Sequence, residues 1–246
     1  MYGYGYRYNS GLVVGAGGGA PFANISSLQF DGIDDFVDLG SGLDIFNYEA
    51  NQSYTISLWY KTTISTSFNT ILNLSANSFK FSLVTGLNGT ISFAAGSVTL
   101  SINFINKWLP TAGAINDGNW HHVCITQDSS GGTINLTAYV DGSNSGSSPS
   151  STFQLVESNN RIGFGQYGGL NGNIDEVSIF DRVVTAAEIV TLSTAPTVDL
   201  TSLNPISWYR NGDGDTYSTI TDNGSGGNDG TMTNMDAGDI VSDVPL

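Results

Sequence analysis

The residues of this chain that could do chemistry are its acids, two adjacent histidines and a few large aromatic rings. Asp175 and Glu176 stand side by side in GLNGNIDEVSIFDRVVTAAEI, residues 169–189. General acid–base work needs two carboxyls converging on one point. In an extended strand, neighbouring side chains project to opposite faces, so this pair is not expected to face one site. His121 and His122 meet the same obstacle, and neither a serine nucleophile motif nor a His-x-x-x-His spacing accompanies them. They read as hydrogen-bonded structural residues.

Asn211, Asp213, Asp215 and Asp222 imitate positions 1, 3, 5 and 12 of an EF-hand loop, which makes Asp213 and Asp215 candidate calcium ligands. Thr216 stands where that loop needs glycine, and Asp222 reaches less far than the glutamate it replaces, so an aspartate-rich turn is the competing reading. Trp59, Trp108 and Tyr167, near Asn and Asp side chains, are the candidates for stacking on sugar rings. Trp108 is the one assigned to a loop, within 104–115, whereas tryptophan in a β protein also serves as core.

These residues must be positioned by strands. Ile174, Val177, Ile179 and Phe180 mark a strand buried on both faces, and Thr185 to Glu188 spell a capping box that starts a short helix over 185–193. Tyr54, Ile56, Leu58 and Tyr60 alternate with Thr55, Ser57 and Trp59, so one set meets the core and Trp59 lies on the other face. Further short apolar runs, separated by Gly, Asn and Asp turns, predict an all-β sandwich or barrel. Residues 1–24 form a Tyr/Gly-rich arm whose Tyr2, Tyr4, Tyr6 and Tyr8 could supply assembly contacts, and 196–246 form an Asp/Gly-rich extension. About 50 residues are too few for a second sandwich, so the extension is expected to pack on the first one or on a neighbouring subunit.

Seven basic against 22 acidic residues give a net charge of −15, which argues against a phosphate-tracking, nucleic-acid-binding surface. No apolar run approaches the roughly 20 residues of a membrane-crossing helix. Cys124, the single cysteine, allows no intrachain disulfide and reads as a small buried hydrophobe. The opening MYGYGYRYNS is aromatic and polar, unlike a signal peptide.

Three stretches carry a resemblance. G-x-I-D-E-V-x-I-F-D-R followed by E-I at 188–189 resembles the closing strand and helix of laminin-G-like, concanavalin A-like jelly-roll modules. LQFDGIDDFVDL at 28–39 is similar to their opening hairpin, and DGNWHHVCITQDSSGGTINLTAYVDG, starting at Asp117, to their central strand pair. The resemblance implies an antiparallel jelly-roll β-sandwich over 25–195. It also implies a structural calcium between first and last strands, held by Asp31 or Asp34 and by Asp175 with backbone carbonyls. Glucanases of this fold carry an E-x-D-x-x-E strand, and the matching N-I-D-E-V-S at 173–178 lacks both terminal glutamates, which points away from catalysis.

Function is less constrained, because this fold hosts many activities. A fold that usually works outside cells, on a chain whose start is unlike a signal peptide, suggests a non-enzymatic virion structural protein. It would be a decoration, fibre or tail component that forms a homo-oligomer with other virion subunits and displays its jelly roll for host glycans. The alternative is a carbohydrate-binding module of a secreted or cell-surface protein.

Overall fold

The computed structural model describes residues 23–41, 53–64, 67–76, 79–85, 91–97, 107–109, 115–130, 135–147, 159–194 and 198–245. Tyr2, Tyr4, Tyr6 and Tyr8 of the expected arm lie outside them. The strands are β1 (Ser27–Asp31), β2 (Phe36–Asp38), β3 (Tyr54–Lys61), β4 (Asn69–Ala76), β5 (Phe79–Thr85), β6 (Ile91–Ser97), β7 (Lys107–Leu109), β8 (Trp120–Asp128) and β9 (Asn135–Val140). They continue as β10 (Ser143–Ser147), β11 (Arg161–Ile162), β12 (Phe164–Gly165), β13 (Gly168–Gly169) and β14 (Asn171–Phe180). Helix α1 (Ala186–Thr194) follows, then β15 (Ser207–Tyr209), β16 (Thr219–Ile220), β17 (Gly230–Thr233) and β18 (Ile240–Val241).

Two antiparallel sheets form the sandwich. The first runs β10-β9-β8-β3-β14-β1-β18 with β15 added on β14, and the second runs β16-β17-β2-β11-β4-β5-β6-β7. Leu28, Phe30, Ile56, Leu58, Tyr60, Val123, Ile125, Ile174, Val177 and Ile179 from the first sheet meet Val37, Leu72, Leu74, Ile162, Ile220 and Met232 from the second. Gly163 shows how tightly they close, since with φ of 88° a Cβ there would stand 2.3 Å from the Phe30 ring.

The alternation in β3 is as expected, yet both of its faces are buried. Its second face lies under α1, where Cys124, Phe180, Val184, Ile189, Leu192 and Trp208 form a separate apolar cluster. Helix α1 starts at the expected cap: the Glu188 amide donates to Thr185 Oγ1 at 3.3 Å, and the Thr185 amide donates to Glu188 Oε2 at 2.6 Å. Burial raises the Cys124 thiol pKa, as befits an inert core residue.

One expectation needs correction. Residues 107–109, inside the stretch read as a loop, form β7 on the edge of the second sheet; the Pro110 that suggested a loop follows the strand rather than interrupting it. The stretch after residue 195 is woven into both sheets, with β15 pairing β14, β17 pairing β2 and β18 pairing β1.

Candidate functional site

The two sheets present different outer faces. That of the first is covered by α1 and by the segment through Trp208. That of the second carries side chains that alternate with its core residues: Val37 is buried between Phe36 and exposed Asp38, and Met232 between Thr231 and Thr233. Arg161 of β11 pairs with Asp38 and Asn73, while its neighbour Ile162 pairs with Val37 and Leu72 in the core.

The β12–β13 hairpin lies across β4, since a Cβ on Gly165 would stand 2.7 Å from Thr70 Cγ2 and 3.2 Å from Asn73 Cβ. This places the Phe164 ring 6.0 Å from that of Phe36, and Tyr167 5.9 Å from Phe68, all four half-buried. Across the β2–β17 pair Thr233 lies opposite Phe36 and Thr231 opposite Asp38, which sets hydroxyl and carboxylate groups beside the Phe36 ring. Tyr167, expected as a stacking residue, is therefore in a patch of half-exposed rings.

Trp59 is not part of any such patch. It is 8% exposed and its indole N–H donates to the Leu192 carbonyl at 3.2 Å, so α1 covers the ring that sequence offered as a platform. Trp108 lies in β7 on the edge of the second sheet, and its side chain is outside the described residues.

An acidic turn borders the aromatic patch. Carboxylate oxygens of Asp31, Asp34 and Asp35 lie within 4.8 Å of one another, and Gly169 of the β12–β13 hairpin packs on Gly32 and Ile33 of the same turn. Asp35 is buried and holds the Asp31 amide, and burial raises its pKa, with repulsion from Asp31, Asp239 and Asp34 adding to the rise. A carboxylate trio with this span suits a hard, oxygen-preferring cation. Asp35 was missed from sequence, although the doublet Asp34–Asp35 in DGIDD was the visible signal.

Asp175 does not join this turn. The register pairs Asp31 with Asn171 and Leu28 with Ile174, which puts Asp175 at the other end of β1. There Asn24 Nδ2 donates to Asp175 Oδ2 at 2.8 Å. The expected calcium set of Asp31 or Asp34 with Asp175 is thus not assembled.

The expectation that Asp175 and Glu176 point oppositely also fails. Asp175 pairs with Trp59 and Ser178 with Ser57, so two residues of β14 oppose one of β3. This is a β-bulge, and Glu176 takes a φ of 49° within it. Ile174 and Val177 both face the core, which leaves both acids on the opposite side. The bulge lies where β14 changes partner, from β1 at 171–174 to β15 at 177–179.

Trp208 Nε1 donates to Glu176 Oε2 at 2.5 Å, Arg210 lies 3.6 Å from Glu176 Oε1, and Arg210 Nη2 donates to Asp213 Oδ2 at 2.7 Å. Burial pushes Glu176 up to about 7 and Asp175 well above the usual carboxylate range, with repulsion from Glu176 adding to the Asp175 shift and repulsion from Asp213 to the Glu176 shift. Asp175, Glu176 and Asp213 are each at least 94% covered, so this cluster has no face for a substrate. It joins the extension to the sandwich.

The EF-hand-like spacing resolves into backbone anchoring. Asp213 accepts the Ile25 amide, Asp215 those of Gly212 and Thr221, and Asp222 those of Trp208, Gly224 and Asn228. The histidines are held structurally. His121 bridges Asp141 at 2.9 Å and Asp117 at 3.1 Å, and its hydrogen bond to Asp141 chiefly raises its pKa. His122 is fully buried, with Nε2 2.8 Å from Ser57 Oγ, and burial lowers it to about 3.

Residues 31–190 match the laminin G model of the concanavalin A-like lectin/glucanases superfamily. Human neuronal pentraxin-1 is 25% identical over 168 residues, a match that takes in 63% of this chain and 37% of that protein. The chain thus spans well under half the length of this relative.

Among solved structures, a protein of Bacteroides ovatus named as a candidate carbohydrate binding protein superposes with a TM-score of 0.60. It shares 16% identity and covers 88% of this chain and 61% of its own. The CBM40 module of the Ruminococcus gnavus IT-sialidase, bound to α2,3 sialyllactose, gives 0.51 at 15% identity, covering 68% of this chain and 97% of that one. At such identities the solved structures establish the shared jelly-roll fold.

Proposed function

We propose, from the premise that the chain belongs to the concanavalin A-like lectin/glucanases superfamily, that it is a non-catalytic carbohydrate-binding module working outside the cell. The observation that carries this reading is two half-exposed ring pairs held by one hairpin, Phe164 with Phe36 on the second sheet and Tyr167 with Phe68, with Asp38, Thr231 and Thr233 beside Phe36. Aromatic rings stack on the apolar faces of sugars while neighbouring polar groups fix their hydroxyls. The acids that could serve a glycosidase, Asp175 and Glu176, are sealed under Trp208 and Arg210.

The named relatives favour this reading over a virion component, because they include a sugar-bound module and a candidate carbohydrate-binding protein. Calcium enters the proposal through the turn at Asp31, Asp34 and Asp35. There a bound ion would neutralise three crowded carboxylates and stiffen the edge of the aromatic patch.

The test is a glycan array with the full chain, with and without a chelator, repeated with Phe164→Ala and Tyr167→Ala. Binding that falls at least tenfold in the variants supports the proposal, and chelation should weaken it further. A wild-type protein that binds no glycan, or binds equally well without these rings, overturns it.

A further inference from the structure

Among the described residues, the guanidinium of Arg161 on the solvent face of the second sheet has no counter-ion. Of the described cationic side chains, Lys61 pairs with Asp243, Arg182 with Glu188 and Arg210 with Asp213. Among the described residues Arg161 forms no ion pair, and its buried Nε has no hydrogen-bond partner. That is unexpected in a chain with 22 acids and seven bases.

Arg161 is nonetheless held in place. Its Cζ lies 4.1 Å from the centroid of the Phe36 ring and 5.8 Å from that of Phe164. Such cation–π contacts fix the plane of the guanidinium without consuming its N–H groups. Asp38, its neighbour across the β2–β11 pair, accepts the Gly40 amide at 2.8 Å and makes no ion pair with Arg161. Among the described residues no acceptor meets the forked edge of Arg161, which leaves it for a ligand.

The planar fork of arginine matches a carboxylate, with two parallel N–H···O bonds. Next to it stand the Phe164 ring, which can meet the apolar face of a sugar, and Asp38 with Thr231, which can take its hydroxyls. The net charge of −15 works against extended polyanions but is screened within about 8 Å at physiological ionic strength, so a single carboxylate at Arg161 is tolerated. We propose that Arg161, stacked on Phe36, binds the carboxylate of an acidic sugar residue on the outer face of the second sheet. This rests on the carbohydrate-binding reading and narrows it to glycans that carry uronic or sialic acid.

The experiment titrates the full chain with trigalacturonate and with its methyl ester, and with sialyllactose and with lactose. At least one acid should bind tenfold or more tightly than its neutral counterpart. Arg161→Gln should abolish that preference, and Arg161→Lys should keep part of it, because the charge remains while the fork is lost. Thermal melts check that the variants fold, and should they not, the comparison of acid with neutral probe on the wild type decides alone. Neutral glycans binding as well as acidic ones, or an acid preference that survives Arg161→Gln, overturns this inference and leaves carbohydrate binding standing. Failure of every glycan to bind overturns both.

Discussion

Glu176 condenses the chemistry of the buried seam into one side chain. Its folded pKa of about 7 stands above the 4.5 of a free glutamate, chiefly because burial disfavours the charge, although Trp208 and Arg210 partly compensate. A group with a raised folded pKa favours folding fully below its unfolded value, and that contribution is lost as pH rises through the folded one. Between pH 4.5 and about 7 the Glu176 contribution should therefore decline. Replacing it by Glu176→Gln, which keeps the shape and an acceptor for Trp208, should flatten the fall in urea midpoint between pH 5 and 7.5. An unchanged slope would show that the carboxyl is neutral in neither state. At this scale sequence pointed to the right two acids and to the wrong geometry, because a single bulge reverses the face of every residue on one side of it.

At the scale of elements, helix α1 is the piece most completely written in local sequence. Its cap joins Thr185 and Glu188, and Glu188 also receives both terminal nitrogens of Arg182, at 2.9 and 2.7 Å. Thr185→Ala should cost about 1 kcal/mol, the usual worth of an N-cap. Glu188→Ala should cost more, since it removes the partner of the Thr185 amide and, among the described residues, leaves Arg182 the Leu203 carbonyl as its remaining hydrogen-bond partner. Urea denaturation of the two variants checks the order, and equal losses would mean that the half-exposed ion pair adds nothing. The strand β7 was hidden for the opposite reason: three residues carry too little pattern to be read without their partner β6.

The whole molecule depends on the stretch after residue 195. Tyr209, Ile220 and Met232 from that stretch sit in the main core at 0%, 0% and 4% exposure. Losing a single buried side chain of this size costs roughly 2–5 kcal/mol, against a total stability of about 5–15 kcal/mol. A chain ending after Thr194 is therefore expected to lose its cooperative unfolding transition, as followed by circular dichroism against temperature. A truncated protein that melts cooperatively near the wild-type temperature would show that the sandwich stands without β15, β17 and β18. The proposed glycan recognition belongs to this scale too, since Phe36, Phe68, Phe164 and Tyr167 come from three separate stretches of sequence.

Sequence by itself determined what depends on short-range rules: the alternation of β3, the capping box of α1, the run of strands, and the three stretches that resemble laminin-G-like modules. Tertiary structure alone decided which faces are covered. Trp59 was lost to α1, Asp175 was separated from Asp31 and Asp34, and Arg161 was placed on Phe36, residues 125 positions apart in the chain. The physical reason is that hydrophobic period and capping are fixed by neighbours within a few residues, whereas exposure and charge pairing depend on which distant segment arrives on the other side.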